Sequence, residues 1–218
     1  MEISSVKVCL FDLDGTLSDP AEGIINSFLY ALRRYGIEPQ ERSAYFEIIG
    51  PPLVDSFQKL CGFDRQKARE AVEVYREYFT AGGMFENKLY PGIPALLEKN
   101  RRAGRINAVA TSKPEPFTEA ILEKFGIRGA FDYVAASTLD ETRTHKDEVI
   151  AYALESFPIQ KEEAVMIGDR RYDIEGAKKN GIRSIGVAYG YGGRRELEQA
   201  GADAVVDSVE ELAALLQL

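Results

Sequence analysis

Short apolar runs rich in β-forming residues alternate with segments of helical periodicity, and this alternation limits the possible folds more than any other feature. The first run, Val6–Phe11, is apolar except for Lys7, which is typical of a strand buried on both faces of a sheet. Strands that alternate with helices favour a doubly wound, mainly parallel α/β sheet with helices on both faces. The other predicted strands are Ile106–Ala110, Tyr133–Ala136, Ala164–Ile167, Ser184–Val187 and Ala204–Val206. The predicted helices of this region are Ile93–Arg102, Phe117–Phe125, Lys146–Ser156, Asp173–Asn180, Arg195–Ala200 and Val209–Leu216.

One long stretch interrupts the alternation. Between about residue 19 and residue 85 the sequence shows only amphipathic helical patterns, and the first of them ends at Gly36. An insertion of this length without strands predicts a small α-helical cap domain of residues 18–84 within an α/β core of residues 1–17 and 85–218. The later cap helices are predicted at Ala44–Ile49, Leu53–Cys61 and Ala68–Phe79.

Within the predicted cap, Gly50, Pro51 and Pro52 separate two helices and form a stiff turn. We predict that this turn is the substrate-facing loop of the cap, while an ordinary helix–helix turn is the alternative interpretation. The aromatic residues nearby are expected in the core of the cap rather than against a substrate: Tyr45, Phe46 and Phe57.

Charge and composition argue against polyanionic partners and indicate where the protein acts. The 218 residues carry a formal net charge of -8, which argues against nucleic acid or an anionic membrane as the main partner but not against a small anionic substrate. Cys9 lies in an apolar run and is predicted to be a buried thiol, and neither cysteine has a metal-binding spacing. The absence of a signal-peptide pattern or of an 18-residue apolar run indicates a cytoplasmic protein, which we expect to be a monomer or a weak dimer.

Two carboxylates, Asp12 and Asp14, directly follow the first predicted strand and precede Gly15. Ligands of open α/β sheets bind at the carboxyl ends of strands, and two neighbouring carboxylates there would repel unless a cation such as Mg²⁺ lay between them. A plain turn rich in Asp and Gly is the alternative. A second acidic loop, with Asp169 and Asp173, follows the strand Ala164–Ile167 and could share one metal with the first loop. Its alternative interpretation is a turn and helix cap.

Two further features suit phosphate. Thr111 and Ser112 place a hydroxyl and backbone N–H groups at the end of a third strand, where phosphate oxygens would find donors. Lys146 opens a predicted helix, and its ammonium could neutralise a phosphate and an attacking carboxylate together, although a solvated surface lysine is the simpler reading. Lys113, which follows Ser112, is a competing cation.

The order of these motifs is similar to that of the haloacid dehalogenase superfamily of phosphohydrolases. The chain has D-L-D-G-T after the first strand, T-S after a later strand, a lysine that opens a helix, and G-D-x-x-x-D, and the resemblance covers nearly its whole length. The helical insert and the T-S-K-P segment most resemble the phosphoglycolate phosphatase branch. The resemblance implies a Rossmann-like core with a cap and the activity of a Mg²⁺-dependent phosphatase.

The resemblance also implies a role for each residue. Asp12 would be the nucleophile that forms an aspartyl-phosphate, and Asp14 would act first as general acid and then as general base. Thr111, Ser112 and Lys146 would hold the phosphate. The Mg²⁺ ligands would be Asp12, the Asp14 carbonyl oxygen, Asp169 and, directly or through support of another ligand, Asp173.

The expected substrate is therefore a small phosphorylated metabolite, a phosphate monoester such as phosphoglycolate or a nucleoside monophosphate. A phosphomutase acting on sugar phosphates and a pyrophosphatase remain alternatives, because both can use the same acidic residues. A phospho-acceptor signalling domain also pairs acids at strand ends, but such a domain has no reason to carry a helical insert.

Overall fold

The computed structural model describes residues 5–140 and 142–218. The chain forms two compact units, one of residues 19–88 and the other of the flanking residues up to Ser18 and from Leu89 to Leu218. No helix in the described ranges is long and apolar enough to cross a membrane.

The larger unit is built on a six-stranded, wholly parallel sheet in the order β5-β4-β1-β6-β7-β8, which confirms the predicted α/β fold class. The six strands are β1 Val8–Phe11, β4 Ile106–Pro114, β5 Tyr133–Ser137, β6 Ala164–Gly168, β7 Arg183–Val187 and β8 Ala204–Val206. The helices of this unit are α4 Ile93–Arg102, α5 Glu115–Lys124, α6 Lys146–Glu155, α7 Arg171–Asn180, α8 Gly193–Ala200 and α9 Val209–Leu215, with short 3₁₀ helices at Arg128–Ala130 and Lys161–Glu163.

The sheet is held by apolar side chains on both of its faces. Every residue of β1 is buried, and alternate side chains such as Val8 and Leu10 pack in one cluster with Val149 and Ile150 of α6. Cys9 points into the interior as predicted, and burial raises the pKa of its thiol to about 11, which keeps it protonated. The central position of β1, between β4 and β6, brings the carboxyl ends of three strands together.

The smaller unit contains three α-helices in its described residues, α1 Ala21–Arg34, α2 Leu53–Cys61 and α3 Arg65–Ala81, and two 3₁₀ helices at Arg42–Ile48 and Gly83–Phe85. Its core includes Phe28, whose ring stacks on that of Phe57 with centroids 4.4 Å apart. Two short strands, β2 Ser18–Asp19 and β3 Lys88–Leu89, pair where the chain leaves and rejoins the larger unit.

The prediction for one cap aromatic was wrong. Tyr45 and Phe57 are buried as expected, but Phe46 is 44% exposed. The segment is a 3₁₀ helix rather than the predicted α-helix, and its three-residue repeat turns Tyr45 and Ile48 inward and leaves Phe46 outside. The proline turn lies where predicted, between this 3₁₀ helix and α2, with Pro52 at the N-cap of α2.

Candidate active site

The first acidic loop begins where β1 ends. The backbone N–H of Asp12 donates to the Ile167 carbonyl (2.9 Å), which continues the pairing with β6 beyond the strand. The chain then turns sharply, and Gly15 adopts a φ of +81° while its N–H donates to the Ser18 carbonyl (2.8 Å). A Cβ at residue 15 would lie 2.2 Å from Oδ2 of Asp169, so only glycine lets the two acidic loops approach each other this closely.

Three buried aspartates meet at this edge of the sheet. Asp12 follows β1, Asp169 follows β6, and Asp173 lies in the first turn of α7. One carboxylate oxygen from each lies within 4.8 Å of the others. Because β1 and β6 are neighbours with Phe11 opposite Ile167, the residues after them are adjacent, and the structure brings together the three side chains predicted to share a cation.

The environment of Asp169 fits a metal ligand. Its Oδ2 accepts the Tyr191 N–H (2.7 Å), while its Oδ1 is buried and has no hydrogen-bond partner within the described residues. Burial raises the pKa of Asp169 well above its usual range, and the charges of Asp173 and Asp12 raise it further. A buried carboxylate oxygen without a partner is costly, and a hard divalent cation would satisfy it. The set of oxygen donors therefore suits Mg²⁺.

Lys146 supplies the positive charge of the cluster. Its Nζ contacts Oδ1 of Asp12 (2.8 Å) and Oδ1 of Asp173 (2.9 Å), and it donates to the Ala110 carbonyl (3.0 Å). Burial opposes the charged form of Lys146, but Asp12 and Asp173 outweigh it and raise the pKa above the usual lysine range. The lysine is therefore a buried group whose charged form is favoured, and not a solvated surface residue.

Asp173 has two functions in the structure. Its Oδ2 accepts the backbone N–H of Arg170 (3.0 Å), so it closes the first turn of α7 as the alternative interpretation suggested. It also belongs to the acidic cluster. Burial raises the pKa of Asp173 to about 6, with Lys146 opposing the shift and Asp12 adding to it. The orientation of Asp12 is fixed as well, because its Oδ1 accepts the Leu13 N–H (2.8 Å) beside Lys146.

The end of β4 carries the predicted phosphate-binding residues. Thr111 is buried and pairs with Ala136 of β5, and the pairing resumes only at Pro114, opposite Ser137. Ser112 therefore lies in an irregular segment of the strand, next to the end of β1. β4 is longer than predicted, because the polar residues after Ala110 continue the strand instead of leaving it.

The side chain of Asp14 forms an ion pair of its own, with Lys113 instead of Lys146. Its Oδ2 contacts Nζ of Lys113 at 2.7 Å, and both side chains are largely buried. Burial raises the pKa of Asp14, although Lys113 opposes the shift. The sequence presented Lys113 only as a competitor of Lys146, whereas the structure gives each lysine a different aspartate.

The segment after β7 completes the site, although no sequence pattern predicted its role. The Tyr191 N–H binds Asp169, and the Tyr189 hydroxyl donates to the Thr16 carbonyl (2.9 Å). Between them, a Cβ at Gly190 would lie 2.3 Å from Cβ of Asp169. These contacts depend on backbone groups, on the lack of a side chain at Gly190 and on a tyrosine hydroxyl, and none of these forms a sequence motif.

The proline turn of residues 50–52 belongs to the smaller unit, and its substrate-facing role stays a prediction.

Comparison with known proteins agrees with this geometry. Residues 9–187 match the family of haloacid dehalogenase-like hydrolases. The chain is 46% identical over 188 residues to a 5'-nucleotidase of Pseudomonas aeruginosa, covering 86% of this chain and 85% of that protein. It is 40% identical over 188 residues to the tyrosine-protein kinase PtkA of Mycobacterium tuberculosis, but it spans only 64% of that protein's length. A crystal structure of a predicted phosphatase from Clostridium acetobutylicum superposes with a TM-score of 0.94 at 47% identity, covering 98% of this chain and 99% of the other.

The chain belongs to the haloacid dehalogenase-like hydrolase family. Within that family it is an enzyme of the phosphatase class.

Proposed function

We propose that this phosphatase hydrolyses small phosphate monoesters in two phosphoryl transfers, first to Asp12 and then to water. The observation that carries the proposal is the setting of the Asp12 carboxylate, fixed by the Leu13 N–H and by a buried lysine and grouped with two other buried acids. A carboxylate is a weak nucleophile towards an anionic phosphate, so it needs compensating positive charge and firm orientation more than it needs a strong base.

Asp12, Asp169, Asp173 and the Asp14 carbonyl oxygen are the groups that would hold Mg²⁺. When bound, this cation would offset the negative charges of the carboxylates and the phosphate. Lys146 contributes a second positive charge beside Asp12. The buried Oδ1 of Asp169 supports this assignment, since it is a potential metal ligand for which the described residues offer no hydrogen-bond partner.

In the first transfer an oxygen of Asp12 attacks phosphorus, the bond from phosphorus to the leaving oxygen breaks, and Asp14 gives its proton to that oxygen. In the second transfer a water molecule attacks the aspartyl-phosphate, Asp14 accepts a proton from the water, and the carboxylate of Asp12 is restored as phosphate leaves. The hydroxyl of Thr111 and the N–H of Ser112 would donate to the phosphate oxygens. The raised pKa of Asp14 favours the protonated form that the first transfer requires.

Nucleoside 5'-monophosphates are the first substrates to test, because a relative at 46% identity is named a 5'-nucleotidase, and phosphoglycolate is the second. The residues that choose between them would belong to the cap, with Gly50, Pro51 and Pro52 as the proposed substrate loop. The enzyme would act in the cytoplasm as a monomer or weak dimer.

The test is phosphate release by the purified protein with Mg²⁺ from p-nitrophenyl phosphate and from a panel of phosphorylated metabolites that includes pyrophosphate. Asp12→Asn is expected to lower turnover by at least about a thousandfold, since it removes the nucleophile. Borohydride added during turnover reduces an acyl phosphate to an alcohol, so Asp12 should be recovered as homoserine. An Asp12→Asn variant with more than a few per cent of normal activity would exclude Asp12 as the nucleophile.

Further assays on the same purified protein distinguish the alternative activities. Isomerised hexose phosphate in a coupled assay would indicate a phosphomutase, and preference for pyrophosphate would indicate a pyrophosphatase. A phosphorylated Asp12 that survives for minutes would favour a signalling domain. Labelling of protein tyrosine from radioactive ATP would instead assign to this chain the activity stated in the name of the mycobacterial relative.

A further inference from the structure

The second ion pair of the site lies outside the acidic cluster. Nζ of Lys113 contacts Oδ2 of Asp14 at 2.7 Å, and the two side chains are 7% and 11% exposed. Among the residues that the structure describes, the acids within reach of a common cation are Asp12, Asp169 and Asp173, whereas the carboxylate of Asp14 contacts Lys113. A buried pair of this kind needs close geometry, because both charges have lost most of their hydration.

The two oxygens of Asp14 are in different situations. Oδ2 is held by Lys113, whereas Oδ1 is buried and has no hydrogen-bond partner in the described part of the chain. A carboxyl group that carries its proton on Oδ1 can still accept a hydrogen bond on Oδ2. Lys113 can therefore stay in contact while a proton enters or leaves through the other oxygen.

The backbone around Lys113 is fixed on both sides. Between Thr111 and Pro114, β4 contains two residues more than β5 has between Ala136 and Ser137, and Lys113 is one of them. Irregularities of this kind redirect side chains near active sites. The Lys113 N–H donates to Thr111 Oγ1 (3.3 Å), and the buried Thr118 hydroxyl of α5 lies 3.3 Å from the Lys113 carbonyl.

We propose that Lys113 is a positioning residue that holds Oδ2 of Asp14 so that Oδ1 exchanges protons with the leaving group and with water. This inference rests on the proposed function, in which Asp14 is the general acid and base. The contribution of Lys113 is to restrict the Asp14 side chain to one orientation through the contact of its Nζ with Oδ2. The loss of kcat on removing such a group should therefore be larger for substrates whose leaving group must be protonated.

The test compares two substrates with different leaving groups. An alkyl phosphate such as glycerol phosphate releases a strongly basic alkoxide that must be protonated, while p-nitrophenyl phosphate releases a stable phenolate that needs little help. Lys113→Met is expected to lower kcat for the alkyl ester about a hundredfold or more and kcat for the aryl ester less than about tenfold. Lys113→Arg, which keeps a cationic donor, should restore part of the loss on the alkyl ester.

Asp14→Asn should show the same dependence on leaving group, and adding Lys113→Met to it should cause little further loss, because the positioned group is already gone. Lys99→Met, on α4, is the control for loss of a lysine outside the site. Lys113→Gln replaces Lys113→Met if the latter does not fold, as judged by circular dichroism.

Equal losses on both esters, or a loss confined to KM, would overturn the inference, since Lys113 would then serve phosphate binding or folding. Unchanged kcat on the alkyl ester would overturn it as well. If the unmodified protein released phosphate from neither ester, the proposed function would fail and the inference with it, so the two failures are distinguishable.

Discussion

Substitution of Asp169 by asparagine should stabilise the metal-free protein while it removes the response to Mg²⁺. The carboxylate oxygens of Asp12, Asp169 and Asp173 lie within 4.8 Å of one another. Two unit charges at that distance repel by about 3.5 kcal/mol at an effective dielectric constant of about 20. Asparagine relieves this repulsion, and its carbonyl can still accept the Tyr191 N–H. A buried amide group that lacks partners costs about 1–3 kcal/mol in return.

The size of the effect depends on pH in a definite direction. The pKa of Asp169 is raised by burial and by its acidic neighbours, so the folded protein binds a proton there more readily than the unfolded chain does. The stability linked to that proton is complete below the ordinary carboxyl pKa and is lost as the pH rises through the raised pKa. The same holds for Asp173, whose pKa is about 6. The variant has no titrating carboxyl group at residue 169, so its free energy of unfolding should increase relative to that of the unmodified protein as the pH rises.

Urea unfolding in EDTA at pH 5 and pH 9 measures this gain. The stability difference between Asp169→Asn and the unmodified protein should favour the variant by about 2 kcal/mol more at pH 9 than at pH 5, which corresponds to about 4–8 °C in Tm. Added Mg²⁺ should stabilise the unmodified protein and not the variant. Asp203→Asn is the matched control, since Asp203 also accepts a backbone N–H, from Ser184, but lies on the surface. Equal stability changes at the two pH values, or equal stabilisation by Mg²⁺, would refute the reasoning.

Two further predictions concern neighbouring groups. Lys146→Met leaves two buried carboxylates without their cation. It should lower the free energy of unfolding by about 3–5 kcal/mol, measured by urea unfolding, and abolish turnover in a phosphate-release assay. Unchanged stability would contradict the ion-pair geometry. Gly15→Ala forces a Cβ into contact with Asp169 at a positive φ, and it should lower both turnover and Mg²⁺-induced stabilisation. Gly36→Ala is the control, since Gly36 also has a positive φ but open space around it, and this change should lower only stability. Equal effects of the two changes on turnover would be inconsistent with the close approach at residue 15.

Helix boundaries were predictable where the sequence contains strong local signals. The helices Ile93–Arg102 and Leu53–Cys61 begin and end as predicted, because Gly92 or Pro52 precedes them and Gly62, in the left-handed region, ends the second. The exposed Phe46 could not be predicted, since the sequence does not distinguish a 3₁₀ repeat from an α-helical one over a few residues.

The acidic residues of the site were predictable for a different reason. Asp12 and Asp169 follow buried strands, and the rule that strand ends in a parallel sheet form the binding edge needs no knowledge of side-chain contacts. The partners of the charges were not predictable. Lys113 lies in the irregular end of β4 and Lys146 opens α6, and no sequence pattern indicates which aspartate each lysine contacts.

The paired strands Ser18–Asp19 and Lys88–Leu89 have a consequence for how such enzymes diversify. Because the two ends of the insert lie side by side, a segment of another length or sequence can replace residues 19–88 without asking the flanking chain to move apart. Every charged contact described around Asp12 comes from residues outside that segment. If the cap selects the substrate as proposed, replacing residues 19–88 would alter that selection and leave the charged groups around Asp12 in place.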